Sequence, residues 1–254
     1  MTGAPIKQGG SCILTYHSLD TSGSVISIPP KLFRQQMEWL AATRVAVVPL
    51  GRVRETTGAV AITFDDGFHN FFEHAAPVLQ EFRFPATVFV VSDFCGGAND
   101  WPTQPRTPAV PKLELMPWSE LQQIAKAGIS IGCHTATHPY LSRLNAAELE
   151  EELARSRSAI EQRVGMAVET FAYPYGDATA QVREAAGRHF QLACGTRMAF
   201  LSADSDLLDL PRLDVYYLRS RFWFHGLQRP YGAAYVAARG GLRLLRQGLI
   251  FKHP

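Results

Sequence analysis

Two kinds of apolar pattern alternate along the chain. Short runs rich in β-branched residues, at 11–17, 45–50, 59–64, 86–91, 129–133, 168–173 and 191–196, predict strands. Between them, apolar residues recur at helical spacing. Residues 29–42, with Phe33, Met37 and Leu40 on one face, predict a helix, as do 70–82, 119–128, 145–165 and 177–190. Pro77 should kink or shorten the second of these. Ser119 is placed to cap the third and Gly128 to stop it. Asn145 and Glu148 have the spacing of a capping box on the fourth. Residues 93–117, rich in Pro and Gly, predict an irregular excursion. Strand–helix alternation implies a mainly parallel sheet covered by helices, as an open doubly wound sheet or a closed barrel.

Composition narrows the picture a little. With 254 residues, 46% of them hydrophobic, the chain can bury one sizeable core. A net charge of +2 gives no reason to expect a nucleic-acid partner. Cys12, Cys95, Cys133 and Cys194 form no CxxC pair, so reduced thiols in a cytoplasm are expected. The first residues lack the basic-then-apolar pattern of a secretion signal. No apolar run reaches the roughly 18 residues of a spanning helix.

The chemistry gathers where strands end. "YHS" (16–18), "DDG" (65–67), "HTATH" (134–138) and "YPYGD" (173–177) each follow a predicted strand. Parallel strands point their carboxyl ends to one face, so these clusters can converge. Asp65 and Asp66 alone suit a turn or a helix cap. His134 and His138 are spaced as in zinc peptidases, but Thr135 stands where those enzymes carry Glu, and Pro139 follows at once. A loop is therefore expected, holding either two hydrogen-bonded histidines or two metal ligands. Two imidazoles and one carboxylate form a common metal shell. The adjacent carboxylates could then divide the labour, one gripping the cation and the other taking a proton from water.

Taken together, "TFDDG" (63–67), "HTATH" (134–138) and "FAYPYG" (171–176) resemble the motifs of the polysaccharide deacetylases with a NodB homology domain, carbohydrate esterase family 4. "ILTYHSL" resembles the branch containing poly-N-acetylglucosamine deacetylases, and the likeness runs from about residue 11 to 217. It implies a distorted (β/α) barrel of about seven parallel strands and a metal-dependent hydrolase removing the acetyl group from an N-acetylated sugar. By the same resemblance Asp65 is the general base, and Asp66, His134 and His138 hold a divalent metal, Zn²⁺ being the expected ion. Tyr175 contributes its backbone N–H to an oxyanion hole, Pro174 and Tyr175 line the substrate site, and Thr135 supports the histidine loop. Two departures stand out. The third motif has Ala172 where many members carry an arginine that orients the base, and Arg212 in "LPRLDV" is expected to replace it. The late histidine that acts as general acid has no clean match. His17 at the end of the first strand is the better-placed candidate, and His225 the poorer one. His69, His74 and His189 fall in helical stretches and are expected at the surface. Trp101 and Trp118 are candidates for stacking on sugar rings or for the core. A non-sugar amide or imide substrate, and a non-catalytic glycan-binding barrel, remain alternatives.

The division expected is a deacetylase domain over 1–225 and a basic amphipathic tail over 226–254. No acidic residue follows Asp214, while Arg219, Arg221, Arg229, Arg239, Arg243, Arg246 and Lys252 do. Such a tail can pack on the domain or touch the inner face of a membrane. A cytoplasmic enzyme of this kind would meet a nucleotide- or lipid-linked precursor rather than a finished polymer.

Overall fold

The structure is a computed structural model, and it describes residues 10–104 and 110–250, with side chains described as far as residue 242. Seven strands form one wholly parallel sheet: β1 (Cys12–Tyr16), β2 (Val60–Phe64), β3 (Thr87–Val90), β4 (Ser130–Cys133), β5 (Thr170–Ala172), β6 (Leu192–Cys194) and β7 (Leu213–Asp214). Their spatial order is β6-β5-β4-β3-β2-β1-β7. The stretch that becomes β7 first runs beside β6, where Leu210 N–H donates to the Ala193 carbonyl and Gly195 N–H to the Leu210 carbonyl. It then pairs with β1 through Leu14 and Leu213. One strand thus laces the two edges of the curled sheet into a distorted barrel, as the sequence motifs implied.

The predicted strand at 45–50 does not form. Val47 makes a single bridge to Val60, and Pro49, which has no N–H to donate, leads into a 3₁₀ turn at Leu50–Arg52. The seventh strand is instead Leu213–Asp214, too short to show any periodicity. The helices fall where expected: α1 (Pro30–Ala42), α2 (Ala76–Phe82), α3 (Trp118–Lys126), α4 (Ala146–Val164) and α5 (Ala180–His189), followed by a short α6 (Arg221–His225) and α7 (Pro230–Ile250). Pro77 sits in the first turn of α2, behind a π-helical turn at Phe71–Ala75 that absorbs the missing donor. The start of α3 differs from expectation. Pro117 occupies the cap position and Ser119 lies inside the helix, while Gly128, at φ +94°, ends the turn after it. Asn145 and Glu148 close a reciprocal capping box on α4.

Side chains of each strand alternate between two apolar regions. Cys12, Leu14 and Tyr16 of β1 join the large core beneath the helices, while Ile13 joins Ala61, Phe89, Ala172, Cys194 and Leu210 inside the barrel. Burial on both faces explains why the strands are continuous apolar runs. The barrel interior is filled unevenly. Phe89 is large, and Gly132 on the next strand makes room for it, since a Cβ there would come within 2.4 Å of the Phe89 ring. The small Ala172 and Cys194 leave space above for Arg212, whose guanidinium carbon lies 5.7 Å from the centre of that ring.

Of the tail, α7 packs on the domain as far as it is described. Val236 is buried, and Tyr235 stacks on Trp223 with ring centres 4.0 Å apart. The side chains of Arg243, Leu245, Arg246 and Leu249, and residue Lys252, lie outside the described ones. No helix among the described residues is long and apolar enough to cross a membrane.

Candidate active site

Every polar cluster singled out in the sequence stands at the carboxyl ends of the strands, around a cavity of about 480 Å³. Asp65, Asp66, His134, His138, His17, Tyr175, Trp101 and Arg212 all line it. Pro174 is buried in the turn that follows β5.

Asp66, His134 and His138 offer ligand atoms within 4.8 Å of one another, the one such group among the described residues. Asp66 Oδ1 is 3.4 Å from His134 Nε2 and 3.5 Å from His138 Nε2. Two ligands on a tetrahedral ion with bonds of about 2.0–2.1 Å stand roughly 3.3 Å apart, so the spacing fits a single cation. The donor set fits as well. His134 Nδ1 lies 2.7 Å from the Ala172 carbonyl, which can only accept, so Nδ1 carries the proton and the Nε2 lone pair faces Asp66. His138 Nδ1 has no such partner among the described residues; its ring is held by stacking on Trp101 at 4.2 Å and by the edge of Tyr175 at 4.6 Å. Burial opposes protonation of both rings. At His134 the carboxylates outweigh it and the pKa rises, whereas at His138 burial and the neighbouring His134 bring it down to about 4. Burial also opposes ionisation of Asp66, but the two imidazoles prevail and hold the carboxyl far below the usual range.

Asp65 makes different contacts. Arg212 Nη1 and Nη2 donate to its two oxygens at 2.7 Å each, a bidentate pair with both residues buried. Arg212 is itself fixed by Nε–H donation to the Gly195 carbonyl at 3.0 Å. Burial would raise the Asp65 pKa, but Arg212, helped by His17 and His134, holds it below the ordinary carboxylate value. His17 Nε2 is 3.8 Å from Asp65 Oδ2, with its side chain 25% exposed to the cavity side. His225 is not at the site; it stacks on Trp39 at 4.9 Å.

The loops carrying these groups are strained. Asp66, Thr135, His138 and Tyr175 all have positive φ without being glycine, and only Arg44 and Arg83 share that property among the described residues. Each loop is braced. Thr135 Oγ1 donates to the His134 carbonyl and accepts the His138 N–H at 3.0 Å. Glu152 on α4 accepts the N–H groups of Ala136 and Thr137 and the Thr137 hydroxyl at 2.7–3.0 Å. Thr103 donates to the His138 carbonyl at 2.6 Å and contacts the Tyr175 hydroxyl at 3.1 Å. Gly176, at φ +73°, lets the Tyr175 turn close against Thr196. Trp101 is 3% exposed, against His138 rather than open to a flat ring, and Trp118 packs on the main core.

Sequence reasoning did not single out Glu152, Thr103 or Tyr140, which stacks on Tyr175 at 4.2 Å. Glu152 left a trace: a carboxylate on the apolar stripe of α4, between Leu149 and Leu153. Thr103 and Tyr140 left none.

A distorted (β/α) barrel with a carboxylate–imidazole cluster at the mouth of its strands defines the class. The chain belongs to the polysaccharide deacetylase family, whose model matches residues 52–190. YxkH of Bacillus subtilis (strain 168), a protein named for the polysaccharide deacetylases, is 25% identical over 80% of this chain and 70% of its own length. The poly-β-1,6-N-acetyl-D-glucosamine N-deacetylase of Escherichia coli (strain K12) is 23% identical over 56% of this chain, which spans only 23% of that protein. The solved structure of IcaB from Ammonifex degensii superposes with a TM-score of 0.71 at 22% identity, covering 89% of this chain and 98% of that one. This structural likeness shows the fold.

Proposed function

We propose that the chain is a metal-dependent N-deacetylase acting on an N-acetylated amino sugar. The observation that carries this reading is the division between two adjacent carboxylates: Asp66 faces two imidazoles at ligand spacing, while Asp65 is turned away onto Arg212. A structural metal site has no use for the second. Family membership and a relative named as a poly-N-acetylglucosamine deacetylase support the substrate class.

Asp66, His134 and His138 would hold a divalent cation, with Zn²⁺ the ion best matched to these donors. When bound, it supplies a Lewis acid that polarises a carbonyl and lowers the pKa of water from about 16 toward 7. Asp65 accepts the proton of the attacking water, and Arg212 fixes the carboxylate that receives it. The Tyr175 backbone N–H, in its left-handed turn at the cavity wall, donates to the oxygen on which charge develops. A C–O bond forms and the amide C–N bond breaks. His17, beside Asp65, donates the proton taken up by the departing nitrogen. Acetate and a free amino sugar result.

We place the reaction in a reducing compartment, since all four cysteines are unpaired. The substrate there would be a nucleotide- or lipid-linked amino sugar. The test is acetate release from a panel of poly-N-acetylglucosamine, nucleotide-linked N-acetylglucosamine and simple amides, with and without chelator. Release from an N-acetyl sugar, abolished by chelation and restored by Zn²⁺, is expected. Turnover of simple amides alone would move the reading to another amidohydrolase.

A further inference from the structure

As far as Leu242, helix α7 turns an uncharged face to solvent. Tyr231, Ala234, Ala238 and Leu242 recur at helical spacing and all are exposed, Tyr231 by 41% and Leu242 by 56%. The opposite face is fixed against the domain by close backbone contacts. A Cβ on Gly232 would lie 2.0 Å from the Gly226 carbonyl oxygen, and one on Gly240 2.5 Å from that of Met198. The helix therefore cannot roll to hide its apolar side. Arg239, the only charged residue between Pro230 and Leu242, lies over the rings of Tyr217 and Tyr235 instead of on the outer face. Phe222 of α6, 59% exposed, stacks on Tyr231 at 4.8 Å and widens the patch.

The surroundings of the patch identify its partner. Arg219, Arg221 and Arg229 are exposed beside it, and no Asp or Glu follows Asp214 anywhere in the sequence. A second copy meeting this face would bring arginine against arginine, with no carboxylate from the segment to offset the repulsion. An anionic lipid surface offers both things the patch lacks: apolar depth for Phe222, Tyr231 and Leu242, and negative headgroups for the guanidinium groups. We propose that the exposed faces of α6 and α7 dock the protein on an anionic membrane leaflet. Tyr216 and Tyr217, just ahead of the patch in the chain, line the cavity, and the Tyr235 hydroxyl donates to the Tyr217 carbonyl at 2.8 Å. Docking brings that cavity wall close to the headgroups. The inference concerns the surface alone and stands apart from the deacetylase reading.

The test is co-sedimentation of the full chain with vesicles of phosphatidylcholine, with and without 30% phosphatidylglycerol, at low and at physiological salt. Binding to the anionic vesicles, weakened by salt, is expected. Joint Arg219→Gln, Arg221→Gln and Arg229→Gln substitution should lower the partition coefficient about a hundredfold at low salt. Phe222→Ser with Leu242→Ser should also release the protein, and brominated lipids should quench the fluorescence of Trp223, which a Trp223→Phe control identifies. Arg219, Arg221, Phe222, Arg229 and Leu242 lie on the surface, so circular dichroism of those variants should be unchanged. Failure of the intact chain to bind anionic vesicles at low salt would overturn the proposal. So would binding that survives the serine substitutions, which would mark a general polyanion site, or a concentration-dependent dimer abolished by Leu242→Glu, which would mark a second copy as the partner.

Discussion

In the proposed reaction the chemistry turns on the contact between Asp65 and Arg212. Both groups are buried, and each is the other's principal charge partner. Replacing Asp65 with Asn removes the proposed proton acceptor but leaves Asp66 and both imidazoles in place. Turnover should fall about 10²–10⁴-fold while metal content by atomic absorption is unchanged. Replacing Arg212 with Met strands a buried carboxylate and should lower unfolding free energy by about 3–5 kcal/mol in denaturant titration. The pH dependence has a definite sign. Because the folded pKa of Asp65 is depressed, its contribution to stability is fully present above the unfolded value of about 3.9 and is lost as pH falls through the folded one. The stability gap between the parent and the Arg212→Met protein should therefore be widest near neutral pH and narrow as pH falls through the folded pKa of the parent, as denaturant titrations at several pH values would show. Arg212 was legible in the sequence only through the family resemblance, which implies an arginine where Ala172 stands. The positive φ values at Asp66, Thr135, His138 and Tyr175 were not legible at all. Asp and His tolerate a left-handed backbone better than Thr and Tyr, but none of the four requires it, and tertiary contacts impose it.

Among the elements, α4 does more than cover the sheet. Glu152 takes three hydrogen bonds from the turn between the two histidines. Substituting Leu should leave two buried N–H groups without acceptors and loosen the loop that aims His138. Metal affinity, read by chelator competition, is expected to fall about 10–100-fold, with partial recovery in Glu152→Gln, whose amide oxygen can still accept. The capping box of α4 was readable from Asn145 and Glu148 because caps are local. The loss of a strand at 45–50 and its gain at 213–214 were not, because strand pairing is decided by neighbours distant in sequence. β7 has two residues and no pattern of its own. It exists because the edges of β1 and β6 both need partners.

On the scale of the molecule, the strand ends gather the site from five separated stretches, and the convergence of four of them was the most readable feature of the sequence. Parallel topology alone sends His17, Asp65, His134, Tyr175 and Asp214 to one rim. The same packing buries Cys12, Cys133 and Cys194 and pushes each thiol up to about 12. The native protein should accordingly consume little Ellman's reagent at pH 8, and four equivalents once unfolded in guanidinium.

The stretch that joins the two edges of the sheet also carries Arg212, 147 residues downstream of its acid. A ribosome must deliver nearly the whole domain before Asp65 meets its counter-charge. Nascent or truncated chains ending ahead of that final stitch could present all three candidate ligand residues and still be inert, so the proposed activity would double as a readout that the ring has been sealed.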